Sequence, residues 1–391
     1  MPTTSFKNLI YGATLPMISP SPKGQMTHHS HGAITTLPQY EALLTRHHVF
    51  GATLLLKDGE RQTVVHTSTV TPAHYADDKT LYRVASITKT AAALVTLRLC
   101  DQGLMQLDSP ISKLLPGGRD EPMLQGITVR HLLCHRSGLR DTAAYTEALS
   151  RGDTWQTVLH APGVHACNPD ESFAYCNFGY GLLGCVLEAV SGCSVAALFR
   201  DQLFAPLHMR ATLDASTLDA ASVMPITRVL PYRAGTDVTI PPLGRRPLRE
   251  ADPLHHFGHT AGAMYTDAPS LSRMLTLIFN HGMLDGVPLI SSSLMHEMTT
   301  QHGFSGPARH PERRYGLGLA MVEDSTLSDH RLLGHQGFAY GCVDGMFVEE
   351  GTGRQVIFLN GGSSERRHGR MGLVNHDILR WALKEEMPSW T

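Results

Sequence analysis

The chain lacks several signatures that would settle its class at once. It has no Cys-x-x-Cys pair, and its seven cysteines (Cys100, Cys134, Cys167, Cys176, Cys185, Cys193 and Cys342) are odd in number and mostly set in apolar runs. They read as buried thiols of a reducing compartment, not as a disulfide framework. No run approaches the roughly 20 apolar residues that a membrane-crossing helix needs. Leu9 to Ile18 is short, carries Gly12 and Pro16 and follows a single Lys7, with no small-x-small cleavage pattern after it. A signal peptide is therefore not expected, and the expected location is cytoplasmic. Charge of one sign is also missing: 33 basic and 35 acidic residues leave a formal net charge of -2, which gives no electrostatic case for a nucleic-acid or anionic-membrane partner. No Gly-x-Ser-x-Gly elbow, no phosphate-cradling Gly-rich loop and no His-Glu-x-x-His is present; His296-Glu297 is followed by Thr300 where the second histidine would stand.

What is present is a globular chain of 391 residues, 42% apolar and 17% charged, large enough for a substantial core. Residues 1–36, rich in Pro, Ser, Thr and His without periodicity, read as a flexible arm. Residues 38–48 suit a short helix. Phe50–Leu56 and Gln62–Thr69 read as two strands joined by a turn at Asp58-Gly59. From Ser86 to Cys100 the only charges are Lys89 and Arg98, and no Gly or Pro intervenes before Gly103. A helix apolar nearly all round is a buried one. Val129–His135, Asn177–Val190 and Val195–Leu203 continue the helical pattern. Residues 222–258, with six prolines and five arginines, read as a long irregular segment, either a lid or a solvated loop. A helix follows over Pro269–His281. Tyr315–Val322, Tyr340–Val348 and Arg354–Leu359 are strand-like, and Gly372–Lys384 is an amphipathic helix. The expected fold is α/β (α+β). An antiparallel sheet of residues 37–100 and 260–391 is flanked by helices, and a mainly helical insertion spans 101–259.

The chemistry gathers at Ser86-Ile87-Thr88-Lys89. Positions i and i+3 share a helix face, so the hydroxyl and the amine can meet. A serine hydroxyl is a poor nucleophile until a base takes its proton, and a lysine in an apolar site can serve. Alone, Ser-x-x-Lys carries little weight, since a chain of this length contains about one by chance. Two partners strengthen it, in order along the chain: Tyr175-Cys176-Asn177, a single Tyr-x-Asn, and His335-Gln336-Gly337.

With these motifs on the page, the chain resembles the serine β-lactamase and penicillin-binding-protein superfamily, in particular its branch of class C β-lactamases, D,D-carboxypeptidases and family VIII esterases. The segments Leu81–Lys89, Ile127–Leu139, Phe178–Gly184, Ala261–Tyr265 and Tyr315–Gly318 carry the likeness together, from about residue 37 to the end. The resemblance implies that Ser86 is acylated, that Lys89 is its base, and that Tyr175 is a second base or proton shuttle. Asn177 would hold Lys89 and the substrate's carbonyl side. His335 would take the strand position that β-lactamases fill with lysine. The backbone N–H groups of Ser86 and Phe338 would form the oxyanion hole, with Gly337 letting the strand run close to substrate.

Three positions depart from that pattern. Cys176 replaces a small residue, and its side chain is expected to point away and pack. Gln336 and Phe338 replace small hydroxyl residues that help bind a substrate carboxylate, a loss of charge-assisted bonds worth about 1.5–3 kcal/mol each. Phe338 would instead add an apolar wall. These changes point toward an esterase, amidase or acyltransferase acting on a small-molecule or short-peptide substrate. A β-lactamase or D,D-peptidase stays open, since an arginine of the 222–258 segment could restore carboxylate binding. A silent binding protein also stays open. No cofactor or metal is expected: His28-His29-Ser30-His31 and His255-His256-Phe257-Gly258-His259 read as loop histidines. Oligomeric state is left open.

Overall fold

The computed structural model describes residues 27–31, 37–68, 75–230, 233–237, 247–302 and 314–384. Both ends of the chain contribute to one eight-stranded sheet: β1 (Thr27–His31), β2 (Ala52–Asp58), β3 (Arg61–Ser68), β4 (Arg314–Tyr315), β5 (Ala320–Val322), β6 (Leu332–Ala339), β7 (Cys342–Glu349) and β8 (Gln355–Asn360). The spatial order is β1-β3-β2-β8-β7-β6-β5-β4, antiparallel throughout.

The sheet is buried on both faces. In β2, Leu55 joins one core while Leu54 and Leu56 join another; in β8, Ile357 and Leu359 oppose Val356 and Phe358 in the same way. A strand covered on both sides needs no polar alternation, so these segments read as continuous apolar runs. Helices α1 (Leu37–Arg46) and α5 (Leu373–Leu383) cover one face, joined by a Tyr40–Trp381 stack with ring centroids 5.6 Å apart. The other face meets the larger core, to which α2 (Thr88–Asp101), α3 (Asn177–Ser191) and α4 (Ala268–Phe279) contribute.

Helix α2 is buried from Thr88 through Leu97. It begins later than the sequence pattern suggests, because Ala85–Ile87 form a 3₁₀ turn first. Ala85 sits at φ 43°, a left-handed conformation that costs an L-residue about 1–2 kcal/mol. The Thr88 hydroxyl ties this turn down, donating to Ala85 O at 2.6 Å and accepting from Met264 N at 3.1 Å. Helix α3 lies close against residues 257–260: a Cβ on Gly181 would overlap the Phe257 carbonyl, and one on Gly184 would stand 2.7 Å from Thr260 Oγ1.

Four segments differ from the sequence expectation. Tyr315–Val322 is not one strand but two short ones, β4 and β5, divided where Gly318 (φ 67°) folds onto α2. A Cβ there would lie 2.8 Å from Lys89 O. The residue pattern shows no strand at His335-Gln336-Gly337, yet these residues lie within β6, on a strand as the resemblance implies. Thr27–His31, expected in a flexible arm, pairs with β3 as an edge strand; residues 1–26 and 32–36 lie outside the described residues. In the irregular 222–258 segment, Thr227–Leu230 and Arg233–Asp237 form a hairpin, and 231–232 and 238–246 lie outside the described residues. Among the described residues no single helix is long and apolar enough to cross a membrane.

Candidate active site

From Thr80 to Leu97 every residue is buried except Ser86. The 3₁₀ turn ahead of α2 lifts this one side chain out of a sealed core. Lys89, one turn later, is wholly buried, and its Nζ lies 3.1 Å from Ser86 Oγ, 2.8 Å from Asn177 Oδ1 and 2.6 Å from the Ala261 carbonyl. The rings of Tyr175 and Tyr180 wall the amine at 4.9 and 5.5 Å from their centroids. None of the three hydrogen-bond partners is a carboxylate. Burial therefore lowers the Lys89 pKa from 10.5 to about 7, Arg83 adding to the fall and the charge of Asp141 opposing it. An uncharged Lys89 has two N–H donors and a lone pair. Asn177 Oδ1 and Ala261 O can take the donors, which turns the lone pair toward the Ser86 hydroxyl.

The start of α3 supplies the second motif. Asp141 accepts from Asn177 N at 2.9 Å, Asn177 Nδ2 at 2.7 Å and Phe178 N at 2.9 Å. A carboxylate over unsatisfied N–H groups suits the positive end of a helix dipole. The bond to Nδ2 also sets the amide orientation, so that Oδ1 faces Lys89. Cys176 is buried, and its Sγ caps the helix, accepting from Gly179 N at 3.3 Å, while burial pushes its thiol pKa up. Ser86 pulls the Tyr175 phenol pKa down, but burial outweighs it and raises that pKa well above the ordinary phenol value. His135 stacks on Tyr175 with ring centroids 4.2 Å apart, and its Nδ1 accepts from Cys176 N at 3.1 Å. Burial and the nearby Lys89 and His335 hold it uncharged.

Strand β6 closes the site. His335 Nδ1 donates to the Gln336 carbonyl at 2.7 Å, leaving Nε2 to accept from the Tyr315 hydroxyl at 2.8 Å. Burial, helped by Lys89, lowers its pKa to about 3, so the imidazole is neutral. Gly337 permits a close approach, but to the protein's own backbone: a Cβ would overlap the Val84 carbonyl, just ahead of the Ser86 turn. Strand β5 pairs with β6 only from Leu332 to Gly334, so among the described residues the His335–Ala339 edge has no strand neighbour on that side.

Phe338 corrects an expectation. Residues 335 and 337 share the face turned to Ser86, so the side chain of 338 falls on the other. It packs against the α1/α5 core, with the Arg367 guanidinium 3.8 Å from its ring centroid. It is no apolar wall of the site. The Gln336 amide is likewise committed, donating to Arg370 O at 2.6 Å and accepting from Gly372 N at 2.9 Å. An arginine near the site comes from this 367–372 hairpin: Arg370 stands 5.9 Å from the Phe173 ring centroid and helps depress the pKa of His135. Arg228, of the 222–258 segment, pairs with Glu365 at 3.2 Å.

Sequence reasoning singled out Ser86, Lys89, Tyr175, Asn177, His335 and Gly337, and these stand around one another. It missed Asp141, His135, Tyr315 and the Ala261 carbonyl. His135, Tyr315 and Ala261 sit inside the quoted family segments, but Asp141 carries no motif at all.

A sheet built from both chain ends, with a Ser-x-x-Lys helix seated between a Tyr-x-Asn helix start and a His-x-Gly strand, defines the β-lactamase/transpeptidase class of fold. The chain belongs to the Beta-lactamase family, whose model matches residues 39–374. It is 27% identical to penicillin-binding protein 4 of Amycolatopsis lactamdurans over 338 residues, 83% of this chain and 84% of the relative. It is 26% identical to esterase EstB of Burkholderia gladioli over 343 residues, 77% of this chain and 82% of the relative. Among solved structures, D-amino acid amidase from Ochrobactrum anthropi SV3 superposes with a TM-score of 0.69 at 22% identity, covering 87% of this chain and 94% of its own.

Proposed function

We propose that the protein is a serine hydrolase that forms an acyl-enzyme on Ser86 from a small ester or amide. The observation that carries this reading is the Lys89 amine, 3.1 Å from Ser86 Oγ and buried without a carboxylate partner, with a pKa near 7. Ser86 Oγ attacks the substrate carbonyl carbon while its proton passes to Lys89 Nζ. The tetrahedral intermediate rests its oxyanion on the backbone N–H groups of Ser86 and Phe338, and then expels the alcohol or amine, which leaves with that proton. Water repeats the sequence on the acyl-enzyme and frees the acid. Tyr175, beside Ser86 and with its phenol pKa raised by burial, keeps its proton at neutral pH and so relays protons without acting as a phenolate base. Asn177, oriented by Asp141, holds Lys89 and faces the substrate's carbonyl side. The esterase and penicillin-binding protein among the relatives, and the amidase among the structural neighbours, are in keeping with ester or amide chemistry. Hydrolysis of p-nitrophenyl butyrate tests the reading: Ser86→Ala should abolish it, and full activity in that variant would end the proposal.

A second reading, of a substrate bearing a carboxylate, rests on Arg370 at the site's rim. D-amino-acid amides against D-Ala-D-Ala peptides and cephalosporins separate the two. A preference for the free carboxylate that disappears in Arg370→Ala supports the second.

A further inference from the structure

On the α5 side of the sheet, away from Ser86, three distant stretches of chain bring Asp324, His368 and His376 together. Asp324 lies in the loop after β5, His368 in the 367–372 hairpin and His376 in α5. Their ligand atoms all fall within 4.8 Å of one another. His376 is only 8% exposed, and its Nε2 is buried with no hydrogen-bond partner. Its Nδ1 instead faces Asp377 Oδ1 at 3.4 Å, and Asp377 Oδ2 is held by His47 Nε2 at 2.8 Å. A metal-bound imidazole is arranged this way, with one nitrogen on the ion and the other N–H on a carboxylate that fixes ring and tautomer. The His368 ring lies against that of His376, with centroids 4.4 Å apart. Asp324 is fixed in turn, its Oδ1 accepting from Thr326 N at 2.9 Å and the Thr326 hydroxyl at 2.7 Å.

We propose that Asp324, His368 and His376 bind one divalent transition-metal ion of the zinc class and so fasten the 367–372 hairpin to α5. Two imidazoles and a carboxylate select zinc, cobalt or nickel over calcium or magnesium, which take all-oxygen shells. Metal–ligand bonds of about 2.0–2.1 Å set tetrahedral donors roughly 3.4 Å apart, so the cluster must draw in slightly. His368 is exposed on a two-stranded hairpin, and it is the ligand free to move. A water would complete the shell. The fastened hairpin is the one that grips Gln336 of β6 and lays Arg367 over Phe338.

The test uses the full chain, stripped with a chelator and titrated with Zn²⁺ by calorimetry and with Co²⁺ by visible absorption. One equivalent should bind, and Asp324→Asn and His368→Ala should each weaken it at least tenfold. Both residues lie outside the core, so the metal-free melting temperature of these variants should match that of the parent. Zn²⁺ should also slow tryptic cleavage after the exposed Arg366, Arg367 and Arg370 in the parent and not in His368→Ala. Absence of binding, equal binding by the double variant (the ion then sits on other histidines), or cleavage indifferent to Zn²⁺ would overturn the proposal.

Discussion

Replacing Lys89 by methionine keeps the length of the side chain and removes the amine. At the ordinary lysine pKa of 10.5 about one amine in 3,000 would be uncharged at pH 7; at about 7, half are. Single-turnover acylation by a p-nitrophenyl ester should therefore rise about tenfold per pH unit below 7 and level off above it. In Lys89→Met the rate should fall by about 10²–10⁴, the usual worth of a positioned base, and the rising limb should vanish. Stability gives an independent readout of the same group. Between pH 7 and 10.5 an unfolded lysine holds its proton and the folded Lys89 does not, so wild-type stability must rise with pH across that window. The full rise is about 5 kcal/mol, of which urea titrations need resolve only the slope. Lys89→Met should lack that slope. If the variant keeps a limb near pH 7, another group titrates there, and the assignment of Lys89 as base is wrong.

Other perturbations follow from the same geometry. Asp141→Ala removes the acceptor that orients Asn177 and opposes the fall in the Lys89 pKa. Activity should drop, and the midpoint of the pH–rate limb should move below 7, as read from kcat/KM profiles. Gly337→Ala forces a Cβ into the Val84 carbonyl, so it should cost about 1–3 kcal/mol in urea unfolding and slow acylation more than it raises KM. Tyr315→Phe leaves Nε2 of the buried His335 without its donor, at a cost of about 1–3 kcal/mol by the same measurement. His335, with a folded pKa of about 3 against an ordinary 6.5, binds its proton later than the unfolded chain does. Stability should fall as pH drops through that interval, and His335→Gln should flatten the loss.

The parts of the fold and site that sequence made legible are those with local causes. The α2 and α3 segments betray themselves by uninterrupted apolar stretches, and Ser86–Lys89 and Tyr175–Asn177 are contiguous motifs whose spacing fixes their faces. The family resemblance drawn from them was right. The residue pattern did not show β6, which only the resemblance implied, because Gly334, His335, Gln336 and Gly337 lack strand-forming side chains; pairing with β7 and β5 makes the strand. Without its register, the face taken by Phe338 could not be read, and a side chain expected in the site lies behind it. Asp141 reaches Asn177 from 36 positions away through backbone and amide contacts that leave no sequence spacing to recognise. The same holds for Asp324, His368 and His376. Scanning for adjacent histidines pointed to runs at 28–31 and 255–259 and passed over a cluster that only tertiary folding assembles.

Covalent labelling of Ser86 tests the central claim most directly. After treatment with a fluorophosphonate, intact mass should increase by one adduct. Digestion should place that adduct on the tryptic peptide Val84–Lys89, which contains Ser86 as its only serine. Ser86→Ala should stay unlabelled, and Lys89→Met should label far more slowly. An adduct on another peptide, or equal labelling of Ser86→Ala, would contradict the account.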